Sequence, residues 1–406
     1  MTKLRILFCA SEVSPYAKTG GLADVAFALP PALKALGCDV RILMPLYRSV
    51  RDRVESLSPV EGEALVPMGV RDYRLHFQKT ETPAGVPVYF LEKDEFYDRD
   101  HLYGTPAFGD YQDNAERFIA LSRAAHILCI RLGWFPSIFH LNDWQTGLVA
   151  AYHRLHWRYD PNFAGSGLVF TIHNLAYQGI FPRNHFSLTG LPPTAFSIDG
   201  LEFWDQCNFL KAGLAYSDFL TTVSPRYSRE IQRPEFGFGL EGVLQDRRDS
   251  LAGILNGIDT DAWNPETDPL IPARFSAEDM SGKEECKRKL LSDLGFAKES
   301  FKRPLVGMIS RFATQKGFDL LGLILDDLLA LPLSMVVLGT GDPAIERQLS
   351  EAEARFPDRI KILSRFDETL AHTIEAATDI FLMPSRYEPC GLNQMYSLRY
   401  GTVPVV

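Results

Sequence analysis

A short apolar run, a loop of polar or glycine residues and an amphipathic helix follow one another repeatedly along this chain. Strands buried on both faces read as continuous apolar runs, so this succession predicts parallel sheets covered by helices on both sides. Residues 4–10 form the first such run, residues 22–36 the first helix, which Gly37 ends, and residues 40–44 the next strand. The loop between the first strand and its helix, residues 11–21, is long, since loops of this kind usually hold about 2–6 residues. Later strands are expected at 137–141, 167–172, 219–223 and 251–255, and they end at Asn142-Asp143, His173-Asn174, Ser224-Pro225 and Asn256-Gly257. Ligands of open α/β sheets bind at the carboxyl ends of the strands, which makes those polar termini the first candidates for a site.

Between residues 60 and 92 the period changes to alternation, with Tyr73, Leu75 and Phe77 facing Val86, Val88 and Phe90 around a turn at 82–85. This predicts an antiparallel hairpin inserted in the domain. Residues 113–132 and 147–157 read as helices. Residues 260–302 lose the rhythm, proline-rich first and then charged, and are expected to join two domains, 1–259 and 303–406. A second α/β series follows, with strands at 304–309, 334–338, 359–363, 380–383 and 403–406. Because it stops on a strand, the second domain reads as incomplete.

Composition removes several functional classes. A net charge of −9 argues against nucleic acid or an anionic membrane surface as partner. The six cysteines lack a Cys-x-x-Cys pair, and no His-Glu-x-x-His motif occurs, so neither a disulfide framework nor a metal site is expected. A strand begins within a few residues of Met1 and no apolar run is of spanning length, which predicts a cytoplasmic protein.

Four loops carry the chemistry. In Lys18-Thr19-Gly20-Gly21, with Asp24 beyond it, paired glycines allow close backbone approach and Lys18 offers charge to a phosphate; an ordinary glycine turn is the plainer alternative. The loop 310–317 places Arg311 and Lys316 at the ligand edge, where two cations can neutralise a diphosphate, or else are solvated or paired with a carboxylate. Gly339-Thr340-Gly341 lies near a nucleoside or only makes a tight turn. The run Pro384 to Leu392 joins a strand to a helix, with Glu388 placed either to hold the hydroxyls of a sugar nucleotide or to cap that helix.

Taken in order, the motifs at 18–24, 140–146, 173–179, 224–225, 256–259, 310–317 and 388–392 resemble those of bacterial glycogen synthases and plant starch synthases, and the resemblance runs the length of the chain. It implies a GT-B fold, two Rossmann-like doubly wound domains facing a cleft, and retaining transfer of glucose from ADP-glucose to the non-reducing end of an α-1,4-glucan. No cofactor or metal is implied. By analogy Lys18, Gly20 and Gly21 lie at the nucleotide phosphates, with Arg311 and Lys316 stabilising the departing ADP. Glu388 would hold glucose hydroxyls, and Gly391 and Leu392 would meet the phosphate. His173 matches the family histidine near the reacting carbon; Asp24, Asp143, Asn256 and Cys390 match polar or active-site positions with less defined roles. The sequence supplies no obvious carboxylate nucleophile, which favours same-face attack over double displacement. Family members continue past residue 406, so the chain is expected to be truncated: an active enzyme or piece of one, or a non-catalytic glucan- or nucleotide-binding remnant. A related enzyme using UDP-glucose is a third reading.

Overall fold

The computed structural model describes residues 3–105 and 109–406, and the chain divides into two compact units at Asn256–Gly257. The first is built on one nine-stranded sheet: β1 (Arg5–Cys9), β2 (Asp39–Pro45), β3 (Ser58–Met68), β4 (Arg71–Glu81), β5 (Pro87–Glu92), β6 (Ile138–Asn142), β7 (Gly167–Ile172), β8 (Phe219–Thr222) and β9 (Leu251–Gly253). Its order is β9-β8-β7-β6-β1-β2-β5-β4-β3, parallel from β9 to β5 and antiparallel beyond. From β1 the chain winds one way to β2 and β5, then returns to β6 and winds the other way. The direction therefore reverses between β1 and β6, the crevice where such sheets bind ligands.

The hairpin expected at 60–92 exists, with its turn at 82–85, but it is not an insertion. Its second strand, β5, lies parallel to β2 and extends the main sheet. The register differs too, since Phe77 faces Leu91 and Tyr73 faces Val66 on β3. Strand β3 was hidden in the sequence because an irregularity between Val60 and Ala64 breaks the alternation by which a strand is recognised. Among the longer helices, α1 (Gly21–Ala35) follows the first loop, α2 (Asn114–Leu132) buries Phe118, Leu121, Ala125 and Leu128, and α3 (Phe209–Tyr216) is capped by Asn208. The helix expected over 147–157 is α-helical only for Gly147–Tyr152 and widens to a π-helix over His153–Trp157.

The second unit holds β10 (Leu305–Ile309), β11 (Ser334–Leu338), β12 (Ile360–Leu363), β13 (Ile380–Leu382) and β14 (Val403–Val405) in the parallel order β12-β11-β10-β13-β14. Again the direction reverses beside the first strand, between β10 and β13. Alternate strand residues serve two cores. Val306, Met308, Met335 and Val337 pack with α5 (Phe318–Ala330) and α6 (Pro343–Arg355); Leu305, Val336 and Leu338 pack with α4 (Ser281–Asp293), α7 (Glu368–Ala377) and α8 (Leu392–Arg399).

Residues 260–302, expected as a passage between domains, are instead part of this second core. Trp263, Ile271, Phe275, Cys286, Leu290, Leu291 and Phe296 are all buried in it. Polar groups inside the core fasten the segment. The Asp268 carboxylate accepts from His372 Nδ1 at 2.7 Å and from the Tyr400 hydroxyl at 2.6 Å. Lys283 Nζ donates to the carbonyls of Ala376 at 3.1 Å and Tyr400 at 3.0 Å and to Thr402 Oγ1 at 2.7 Å. Prolines and charges read locally as a linker, whereas here two of the charges, Asp268 and Lys283, are buried with partners.

Candidate active site

In the second unit the loops leaving β10 and β13 meet at the point of reversal. Gly317 closes the first loop with φ of +74°, and a Cβ there would stand 1.9 Å from the Pro384 carbonyl oxygen of the second. Only glycine permits both that backbone and that approach. The contact brings Lys316 to Glu388 across 72 residues of sequence: Lys316 Nζ donates to Glu388 Oε1 at 2.6 Å, and Ser385 Oγ donates to the same oxygen at 2.6 Å. The pair lines a pocket with Ser310, Ser385, Gly391 and Leu392. Gly391, at φ +83°, is the N-cap of α8, and no side chain caps that helix. Glu388 is therefore not a helix cap; it is the carboxylate partner of Lys316. The first-turn amides of α8 and a lysine thus face one pocket, an arrangement suited to an anion.

Arg311 is exposed and Cys390 half-buried, and they adjoin the pocket in sequence without lining it. Gly339 and Gly341 allow close packing of loops, since a Cβ on them would lie 1.9 Å from the Ser310 carbonyl oxygen and 2.3 Å from that of Phe312. Close approach of two loops, with Gly341 bridged to Phe312, accounts for both glycines; neither the nucleoside nor the tight-turn reading is needed.

In the first unit the residues ending β1, β6 and β7 gather at the other point of reversal. Asn142 Nδ2 donates to the Cys9 carbonyl at 2.9 Å, which turns its Oδ1 to His173 Nε2, 2.9 Å away. His173 therefore carries its proton on Nε2. Burial pushes the imidazole down to about 3, so the ring is neutral at ordinary pH. Asp143 adopts φ of 55°, uncommon for a non-glycine residue, and its Oδ1 accepts the His173 backbone N–H at 2.7 Å. Burial pushes its carboxyl up to about 7, against the backbone hydrogen bonds from His173 and Asn174.

The long first loop is organised by Glu12, which accepts from the Thr19 hydroxyl at 2.7 Å, from the Thr19 backbone N–H, and from the Tyr103 hydroxyl at 2.6 Å. Lys18 pairs with Asp24 at 2.7 Å. Gly20 is extended, and a Cβ on it would meet nothing within 4 Å, so neither backbone nor packing requires glycine there. Asn256 follows the edge strand β9, its N–H directed to the Val223 carbonyl at 3.4 Å, and it does not join the His173 cluster by any hydrogen bond among the described residues. Glu12, Tyr103 and Ser385 were not singled out from sequence; Asn142 was visible by its place at a strand end. Among the described residues, no three His, Cys, Asp or Glu side chains are grouped to hold a metal ion, and no helix is long and apolar enough to cross a membrane.

Residues 5–246 match the family model described as starch synthase catalytic domain, and residues 295–406 match that of glycosyl transferases group 1. A glycogen synthase of Syntrophotalea carbinolica is 48% identical over 405 residues, covering 99% of this chain and 83% of that protein. One from an Anaeromyxobacter species is 50% identical over 410 residues with the same coverage. Among solved structures, the catalytic domain of starch synthase IV from Arabidopsis thaliana, bound to ADP and acarbose, superposes with a TM-score of 0.92 at 36% identity, covering 99% of this chain and 82% of that one. Sucrose-phosphate synthase from Thermosynechococcus elongatus has a TM-score of 0.57 at 16% identity, covering 99% and 80%, a likeness of fold alone.

Proposed function

The chain belongs to the glycogen and starch synthase family of glycosyltransferases, with its GT-B fold, and from that premise we propose ADP-glucose as donor and an α-1,4-glucan as acceptor. The enzyme is a glucosyltransferase of the glycogen synthase type. The observation that carries the assignment of its donor site is the Lys316–Glu388 pair beside the uncapped start of α8. A diphosphate in that pocket takes hydrogen bonds from the Gly391 and Leu392 amides and charge from Lys316, with Arg311 adding a second cation. Phosphate oxygens then share Lys316 with Glu388, and the carboxylate is left to hold glucose hydroxyls. Cations fixed where negative charge develops are the main source of rate enhancement when a diphosphate departs.

In the first unit, the open space beside Gly20 suits close approach of a phosphate to the backbone, with Lys18 held nearby by Asp24. His173 serves as a neutral hydrogen-bonding group for the sugar, oriented by Asn142, while Asp143 holds the strand end at which His173 sits. In the step itself the bond from the anomeric carbon to the ADP oxygen breaks, and its electron pair stays on the phosphate. The acceptor 4-hydroxyl oxygen bonds to the same face of that carbon, and its proton passes to the departing phosphate. Retention follows without a covalent intermediate. Buried thiols at Cys9, Cys129, Cys207 and Cys286 suit a cytoplasmic setting, where they stay reduced.

ADP release from ADP-glucose in the presence of glycogen, with UDP-glucose run in parallel, tests the assignment. Glucan-dependent ADP release is expected. Turnover with UDP-glucose alone would reassign the donor, and a trapped glucosyl-enzyme would overturn same-face attack.

A further inference from the structure

One side chain of the donor pocket has no part in the chemistry proposed above. Asn393, the second residue of α8, lines the pocket beside Gly391 and Leu392. Its Nδ2 donates to the Ile309 carbonyl at 3.2 Å, across 84 residues of sequence. A carbonyl only accepts, so this contact fixes which way round the side-chain amide sits.

The sheet explains why that carbonyl is open to a side chain. Ile309 ends β10 and shares a peptide group with Ser310, whose N–H donates to the Leu338 carbonyl of β11 at 3.0 Å. The peptide is trans, so the Ile309 carbonyl points the opposite way, towards β13. The ladder between β10 and β13 pairs Val306 with Ile380 and Gly307 with Phe381, and it has ended before Ile309 is reached. Asn393 supplies the donor that a longer β13 would have supplied. The same peptide group is where the 310–317 loop leaves the sheet. The far end of that loop is fastened separately, by the Arg386 N–H to the Gln315 carbonyl at 2.9 Å and by the close approach of Gly317 to Pro384. The loop that carries Arg311 and Lys316 is thus held at both ends, and at its start by the helix whose first amides face the pocket.

We propose that Asn393 is a positioning residue for the donor diphosphate: it sets the separation between the Gly391 and Leu392 amides and the cations of the 310–317 loop. The proposal rests on the donor-site reading above. Amides and cations have to meet one diphosphate together, and a small misplacement of either set weakens what both can hold. Asn393 acts on Lys316 through the Ile309–Ser310 peptide, and so on donor affinity more than on the acceptor.

Calorimetric titration of ADP into the full chain tests this without relying on turnover. Asn393→Ala and Asn393→Leu both delete the donor, the second while keeping the bulk. Each should bind ADP about fivefold more weakly, the loss expected from one hydrogen bond. KM for ADP-glucose should rise by the same factor, with KM for glycogen unchanged. Added to Lys316→Ala, Asn393→Ala should weaken ADP by less than about twofold more, because the cation it positions is already gone. Wild-type affinity for ADP in both Asn393 variants would overturn the inference. So would the full loss on top of Lys316→Ala, which would make Asn393 independent of that cation. If wild type bound no ADP, the donor-site reading would fail and this inference with it.

Discussion

Lys316 and Glu388 meet only because two loops converge, and each is the other's counter-charge. Removing Lys316 takes away the cation proposed for the diphosphate and leaves Glu388 without its ion-pair partner. Lys316→Ala should lower kcat by about 10²–10³, the usual loss when one charge-stabilising donor is removed. Glu388→Ala should lower it by a comparable factor, and ADP release at saturating substrate reads both. Near-normal turnover in either variant would remove that residue from the site. Asp143 makes a prediction in pH. Its carboxyl ordinarily titrates near 3.8 and is raised to about 7 in the fold, so the folded state holds the proton more tightly than the unfolded chain. Below the lower value both states are protonated and nothing is lost. As pH rises towards 7 the unfolded state ionises first, so this residue increasingly favours unfolding. Asp143→Asn keeps the oxygen that accepts the His173 amide and removes the titration. Relative to wild type it should therefore gain melting temperature at pH 8 over pH 5; a constant difference at the two pH values would refute the shift.

The glycines and buried charges act at the scale of elements. Gly317 joins β10 to α5 in a conformation that side chains rarely adopt, with the Pro384 carbonyl in the way of any Cβ. Gly317→Ala should destabilise by more than about 1 kcal/mol from backbone strain alone. It should also part the two loops, so that turnover falls further than melting temperature accounts for. In α4, Lys283 donates to the buried Ala376 carbonyl in the last turn of α7 and to Thr402, tying the segment that precedes β10 to the far side of the second core. Lys283→Met keeps the apolar stem and deletes the cation. Leaving those buried acceptors unpaired should cost about 3 kcal/mol, visible as a lower denaturation midpoint with turnover unchanged per folded molecule. A neutral outcome would mean that the segment is held by its apolar contacts alone, Trp263 stacked on His372 and Tyr396 foremost among them.

For the whole molecule, each unit carries its candidate ligand residues at its own point of strand reversal, and amide hydrogen exchange can be read for each separately. ADP should slow exchange most in residues 310–317 and 384–393, with a smaller effect at 18–21, whereas a maltooligosaccharide should act on 173–182. Protection by ADP confined to the first unit would contradict the placement of the donor site. The sequence alone determined a good deal of this molecule. Every strand of the second unit, and the parallel strands β1, β2, β6, β7 and β8, lie within a residue or two of their expected places, because burial on both faces leaves an apolar run that needs no partner to be seen. The loops bearing Lys18, His173, Lys316 and Glu388 were legible for the same reason, since they lie where those runs stop. What tertiary structure decided is pairing across distance. That Glu388 binds Lys316 and caps no helix, and that residues 260–302 form core, depend on partners tens of residues away. Local periodicity records which face of an element is buried; it carries no record of what that face is buried against.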